Sequence, residues 1–239
     1  MKTSNKLLLA AALLVTAYCV ASAFALKKEF IKGDYKSRFY KMTNLKITDF
    51  DAIDADIPNS NINIEYGDKF AVWVNKELQQ LAVTKKGKTL IISYQKNDNP
   101  SHGYGSSIII ICPKLSSLKL GKTLTEKEKI ANRLDPSKTN VDGAFNTITG
   151  FKQDAMKIEI NNATSVNLSQ INIAKFHGVA NWGKLSLVGP NKIDSADFEI
   201  YTHSSLTLDD AEINHPKYKL DGIAKLSVSG SSLDLLQKR

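Results

Sequence analysis

Asp194, Asp197, Asp209 and Asp210 are the residues of this chain that come nearest to a recognisable chemistry. On coiled β frameworks, carboxylates of this kind cleave acidic polysaccharide when a basic partner stands beside them. Asp209-Asp210 follows "LTL" at a predicted corner, however, where aspartate is favoured for turn chemistry alone. No lysine, arginine or histidine constellation attaches to the four. The histidines, His102, His177, His203 and His215, lack metal-ligand spacing. His177 and His203 hold comparable places in successive repeat units and are expected to stack on one solvent-facing side.

Two glycine-containing stretches invite a nucleotide reading and fail it. "LKLGKT" (118–123) ends like a phosphate-binding loop, but Ser116 stands where the first glycine is needed, and "LSSLKL" reads as strand. "GYGS" (103–106) leads into a strand, so it cannot set a helix N-terminus against a phosphate. Cys112 is the only cysteine outside the apolar N-terminal segment, so no internal disulfide is expected there, and its isoleucine neighbours predict a small, inert core residue. The expectation is no catalytic residue, no cofactor-binding residue, no metal ligand and no cofactor. Binding residues cannot be named at this level.

The elements that would position any site begin with a targeting segment. After "MKTSNK", residues 7–26 run for twenty positions without a charge, which suits a signal peptide or a membrane anchor. Small residues offer cleavage after Ala23 or Ala25. Residues 1–26 are therefore read as signal or transmembrane anchor, and 27–46 as a basic juxtamembrane linker, partly disordered or helical. In that linker Tyr35, Phe39 and Tyr40 interleave with Lys32, Lys36, Arg38 and Lys41, a mixture found at membrane interfaces. Nine Lys/Arg against Glu29 and Asp34 place +7 of the net +8 in residues 1–46. The remainder is nearly neutral, which excludes a nucleic-acid groove. The positive-inside rule would keep the C-terminal part in the cytoplasm, whereas the cleavage sites and the domain class favour export. The expected place is the cell envelope, anchored with the β domain exported.

Residues 47–236 read as one β domain. "NINIEYGDKFAVWV" predicts a hairpin at Gly67-Asp68, and "LAVTKKGKTLIISY" another at Lys86-Gly87-Lys88. A polar loop (97–107) follows, then the strand of Ile108 to Ile111. Residues 123–143 read as an irregular insertion carrying a short helix from Thr125 to Arg133, capped by Thr125 and Glu128 and closed by Pro136.

From about 156 to 236 the chain repeats. "VNL", "LSL", "LTL" and "LSV" begin at 166, 185, 206 and 226. Ile173, Ile193, Ile213 and Leu233 form a second series, and Ile158, Phe176, Phe198 and Tyr218 a third. Three apolar series sharing a period of about 20 residues predict a solenoid. Short units without a helical period make each one a β coil. The fold class expected is all-β: a β-hairpin layer leading into a right-handed parallel β-helix of about 20 residues per coil. Four consecutive isoleucines cannot alternate between wet and dry faces, so Ile108–Ile111 is expected to be covered on both sides, between the hairpins and the first coil, with Cys112-Pro113 as its corner.

The order "FDAIDADIPNSNINIEYGD" (50–68), "VWVNKELQQLAVTKKGKTLIISY" (72–94), "IIIICPKLSSLKL" (108–120) and "LSVSGSS" (226–232) resembles the bacterial head-GIN domain family, over roughly residues 43–236. That resemblance implies a β-helical envelope domain with adhesin as a provisional label and no catalytic residues to transfer. Only Ser229-Gly230-Ser231 approaches the family's usual Ser-Gly-Ala corner. The function expected is a non-enzymatic, adhesin-like envelope protein. Its partners would be a membrane, through 7–26 and the flank 27–46, and a glycan or an envelope protein. The alternatives are a carbohydrate-active enzyme on the same coil and an inward-facing structural or sensory component.

Overall fold

A computed structural model describes residues 3–57, 61–78, 80–94, 107–122, 145–201 and 203–237. The insertion expected over 123–143, "GYGS" and His102 lie outside these residues. The chain forms two compact units, Met1–Met42 and Thr43–Arg239.

In the first unit, α1 (Thr3–Lys32) is a 30-residue helix without a buried side chain. From residue 7 to residue 26 it is uncharged and largely apolar around its whole circumference, so no face is marked for packing on a core. Its length, about 45 Å at 1.5 Å per residue, exceeds a hydrocarbon core of roughly 30 Å. Gly33, left-handed at φ 71°, ends it, with its N–H on the Phe30 carbonyl at 3.2 Å. The first six residues of the basic linker are thus helical.

The second unit is all-β, one curled sheet of thirteen strands. Its strands are β1 (Met42–Asn44), β2 (Ala52–Asp56), β3 (Asn61–Tyr66), β4 (Ala71–Asn75), β5 (Leu81–Lys86), β6 (Thr89–Tyr94), β7 (Ser107–Cys112) and β8 (Ser117–Leu120). Then come β9 (Phe145–Thr149), the long β10 (Lys152–Ser169), β11 (Asn172–Ile200) and β12 (Ser205–Leu220), and finally β13 (Lys225–Ser229). β10 pairs with β11, β11 with β12, and β12 with β13, always in parallel. The register advances by about one repeat: Gln153 faces Ile173, Val166 faces Leu185, Ile193 faces Ile213, and Leu206 faces Leu226. β11 also stacks on itself, since Lys192 N–H donates to the Ile171 carbonyl and Tyr201 N–H to that of Ala180.

Side chains of one register position build columns through this ladder. One runs Ile110, Ile64, Ile148, Leu168, Leu187, Leu208, Val228. A second runs Leu90, Ile53, Leu118, Ile158, Gly178, Phe198, Tyr218. Their interior members are almost wholly buried, and each large aliphatic removed from water stabilises by about 1.5–3 kcal/mol. Inward positions alternate at 171 and 173, then at 176, 178 and 180, so the pattern slips by one at Ala174-Lys175. Such a slip turns the chain from one strand direction to the next.

Three expectations about this region change. The parallel pairing begins well before residue 156: β2, β3, β6, β7, β8 and β9 all join it. The hairpin expected between β3 and β4 does not form. β7 lies between them, parallel to β3 and antiparallel to β4, because the most apolar strand gains most from a neighbour on each edge. The β5–β6 hairpin forms as expected, Lys86 opposite Thr89, with Gly87 at φ 60° in the turn. Finally, two apolar series stray from their columns. Phe176 belongs with Met156, while Gly178 stands beside Ile158 and Phe198. Leu233 is 47% exposed, and its neighbour Ser232 is buried instead.

In the isoleucine run, Ile108 and Ile110 are fully buried and Ile109 is 5% exposed on the other side, while Ile111 is half-covered. Cys112 is buried at the end of β7, and that burial pushes its thiol up to about 12. A maleimide should leave Cys112 unmodified in the native protein and modify it after denaturation, as read by the mass of the peptide that carries it. Rapid labelling of the folded chain would contradict this packing.

The last rung is closed by chemistry as well as by shape. A short 3-10 turn (Gly230–Leu233) and α2 (Asp234–Gln237) follow β13. The buried Ser232 hydroxyl accepts from Ala211 N–H at 2.7 Å and donates to its carbonyl at 3.1 Å. It thereby satisfies backbone groups that would face a further strand. Beyond Asp209 no described strand pairs with the outer edge of β12, and there Pro216, Lys217 and Lys219 oppose edge-to-edge pairing.

Candidate functional site

A groove of about 540 Å³ crosses successive rungs of β10, β11 and β12. Two outward columns line it. Lys152, Asn172, Lys192 and Glu212 form one, and Asp154, Ala174, Asp194 and Asn214 the other. Neighbours within a column stand one strand spacing apart, about 4.8 Å. Ala174 is the smallest lining residue and leaves the floor open between Asp154 and Asp194. At one end the side chains engage each other: Asn214 Nδ2 donates to Asp194 Oδ1 at 3.1 Å, and Lys192 Nζ lies 3.6 Å from Glu212 Oε2. The period of about 20 that marks the core also marks these columns. Stepping by 20 from Asp194 reaches Ala174, Asp154 and Asn214.

The adjoining outward surface of the same strands carries a chain of charge. Tyr201 donates its hydroxyl to Glu199, and Lys219 Nζ donates to Glu199 Oε2 at 3.1 Å and to the Tyr201 hydroxyl oxygen at 3.2 Å. The Tyr201 hydroxyl and then Lys219 hold the Glu199 carboxyl below its ordinary range. Tyr201 and Glu199 in turn raise Lys219. His177 stands at the far end of this chain, Nε2 3.8 Å from Glu199 Oε1 and Nδ1 3.7 Å from Asp197 Oδ2. Such partly exposed ion pairs order a surface and contribute little to stability.

The residues singled out by sequence separate across the molecule. His203, left-handed at φ 58°, sits in a turn with its ring 5.0 Å from Trp182, so it does not stack with His177. Asp194 belongs to the groove and Asp197 to the charged surface. Asp209 accepts from the Ser229 hydroxyl at 2.6 Å, and Asp210 accepts from Ser231 N–H at 2.9 Å, capping the 3-10 turn. Neither Asp209 nor Asp210 makes a described ion pair with a lysine or histidine. Among the described residues no cluster of three or more His, Cys, Asp and Glu could hold a metal ion. Gly121 of "LKLGKT" spends its N–H on the Ala55 carbonyl at 2.8 Å and packs against the Asn161 backbone, where a Cβ would collide. That amide is a strand-end device with nothing to offer a phosphate.

No family model and no curated protein matches this chain. Among solved structures, a candidate adhesin of Bacteroides fragilis is similar at 13% identity and a TM-score of 0.50, over 79% of this chain and 96% of that one. A candidate adhesin of Parabacteroides merdae matches at 13% identity and a TM-score of 0.40, over 79% and 95%. A candidate lipid-binding protein of Parabacteroides distasonis matches at 13% and 0.38, over 80% and 94%. The first of these supports a shared fold.

Proposed function

We propose that this chain is a non-enzymatic cell-envelope protein, held in the membrane by α1 with its β domain exported, and that the outer surface of the ladder binds an envelope ligand. One observation carries the reading: a 30-residue helix, uncharged from residue 7 to residue 26, without a single buried side chain. Exposed leucine and phenylalanine along such a length call for lipid, and the helix is long and apolar enough to cross a membrane. The flank Lys27 to Lys46 would lie at the headgroups, residues 47–236 forming the exported head-GIN-like domain. The parallel register of about 20 residues supports closure of the ladder into a right-handed β-helix. Likeness to the B. fragilis candidate adhesin supports a binding role in place of catalysis, as does the separation of Asp209-Asp210 from any basic partner.

Protease accessibility of a C-terminally tagged chain tests this in intact cells, permeabilised cells and separated membranes. Digestion only after the outer barrier is opened, with full-length mass retained in the membrane fraction, is the expected result. Protection until the inner membrane is breached would mean that the basic flank sets the orientation and that the domain faces inward.

A further inference from the structure

We infer that the groove over Ala174 is a binding site for an uncharged glycan chain, lying across the rungs of β10, β11 and β12. This deepens the proposed binding role and rests on it for biological context. Its first basis is the pattern of donors and acceptors. Lys152 and Asn172 offer N–H donors at one end, Asp154 and Asp194 offer carboxylate acceptors opposite, and Asn214 presents both kinds of group. A sugar hydroxyl donates and accepts at once, so a polyol can satisfy two facing rows that an ion of either sign cannot. The repeat matters as much as the groups. In the first row a polar side chain recurs at each strand spacing of about 4.8 Å, so a polymer with a short repeat meets a donor or an acceptor on several rungs.

Charge argues against an acidic polymer. Two ammonium groups face three carboxylates in the lining, a net of −1, and Lys192 is already paired with Glu212. An anionic chain would meet Asp154 and Asp194 without a free cation between them. Backbone chemistry argues against a peptide. The strands under the groove hydrogen-bond to one another in a parallel ladder, which leaves no open edge between the outer rungs for an added strand. No apolar pocket is present either: Ile173 and Ile193 reach the lining but are 1% and 3% exposed, their side chains belonging to the core. Aromatic platforms are absent from the lining, so recognition would rest on hydrogen bonds and be individually weak, gaining from repetition along the chain.

The test is native affinity electrophoresis of the full chain in mild detergent, in gels cast with dextran, mannan or hydroxyethylcellulose, and with polygalacturonate as the acidic comparison. Migration is expected to slow in at least one neutral gel. In polygalacturonate the basic flank of residues 1–46 slows the chain by charge alone, and that slowing is expected to be the same for the Ala174→Trp protein. Ala174→Trp fills the floor from the solvent side, so it should abolish the retardation while leaving the urea midpoint within error. Asn172→Ala should weaken retardation at least threefold, and Lys219→Ala, on the adjoining surface, should leave it intact. Absence of retardation by every neutral polymer, retention of neutral-polymer binding by a folded Ala174→Trp protein, or slowing in polygalacturonate that Ala174→Trp removes would each overturn the inference. Purified protein is used throughout, so these outcomes do not depend on where the domain lies in the cell, and protease accessibility does not depend on them.

Discussion

Gly178→Val is expected to lower the unfolding free energy by about 3 kcal/mol, at the upper end of what overpacking a core costs. A Cβ at Gly178 would lie 2.7 Å from Leu185 Cδ2, 2.9 Å from Phe176 Cε1 and 3.3 Å from Phe198 Cδ1. Those three side chains are themselves fully or almost fully buried, so none has solvent to swing into. The two phenylalanine rings, 5.7 Å apart, come from adjacent columns, and the missing side chain of Gly178 is the space that lets them meet. Phe198 then stacks on Tyr218 at 5.6 Å and 12°. Urea unfolding followed by the fluorescence of Trp182, 6% exposed near the same corner, measures the loss. Gly222→Ala, where nothing lies within 4 Å of the added carbon, is the control. In a Phe198→Leu background the penalty should shrink, because neighbouring substitutions that share one space do not add. A full penalty in both backgrounds would assign the crowding to Leu185 and Phe176, whose atoms lie nearer the added carbon.

That glycine shows where the sequence is legible and where it is not. Val166, Leu185, Leu206 and Leu226 occupy one column because each unit returns after about 20 residues. The period therefore reports a real stacking distance. Ile158, Phe176, Phe198 and Tyr218 looked like a similar series, yet Phe176 stands one column over. A ring large enough to fill two places disguises which position it grows from, and the glycine that makes room carries no hydropathic signal. Leu233 fits the spacing of Ile213 but not its environment, since the chain has left the ladder for a 3-10 turn by then.

The early rungs hid for a different reason. Ile64 and Ile148 face each other across the ladder, and Asn146 Oδ1 accepts from Ile62 N–H across 84 residues of chain. Between these partners the chain makes the β5–β6 hairpin, β7 and β8, and passes through 123–144. No fixed interval survives such excursions, so a search for periodicity finds only the later units. Pairing β3 with β4 followed the rule that neighbours in sequence are neighbours in space. It failed because β7 is more apolar than either and takes the central place. The groove was legible in principle, since its two columns keep the same period as the core. Of its members only Asp194 has a chemistry that stands out in the sequence; the others are the polar residues that any exposed β face carries.

Asn191→Ala is expected to cost about 3 kcal/mol, because a buried polar group left without a partner costs about 1–3 kcal/mol and this substitution strands more than one. Asn191 is 1% exposed. Its Oδ1 accepts from Ile171 N–H at 3.2 Å, and its Nδ2 donates to the carbonyls of Leu168 at 3.1 Å and Val188 at 3.3 Å. These are groups at a corner, where the β11–β12 register shifts between Val188 and Asn191 and the backbone ladder cannot serve them. The amide thus stands in for a missing stretch of strand, as Asn146 does between Ile62 and the Ser165 carbonyl.

Asn191→Asp separates this role from mere filling of space. It keeps the size and the acceptor for Ile171 but turns a donor toward two carbonyls into a carboxylate, whose charged form is disfavoured there. The folded state then raises the aspartate pKa above its unfolded value, so the penalty is full at neutral pH and relaxes as pH falls through the folded-state value, where the protonated acid donates again. Urea midpoints of Asn191→Asp that approach those of the parent as pH is lowered would show that donation to Leu168 and Val188 holds the corner. A gap that stays constant with pH would assign the loss to packing alone.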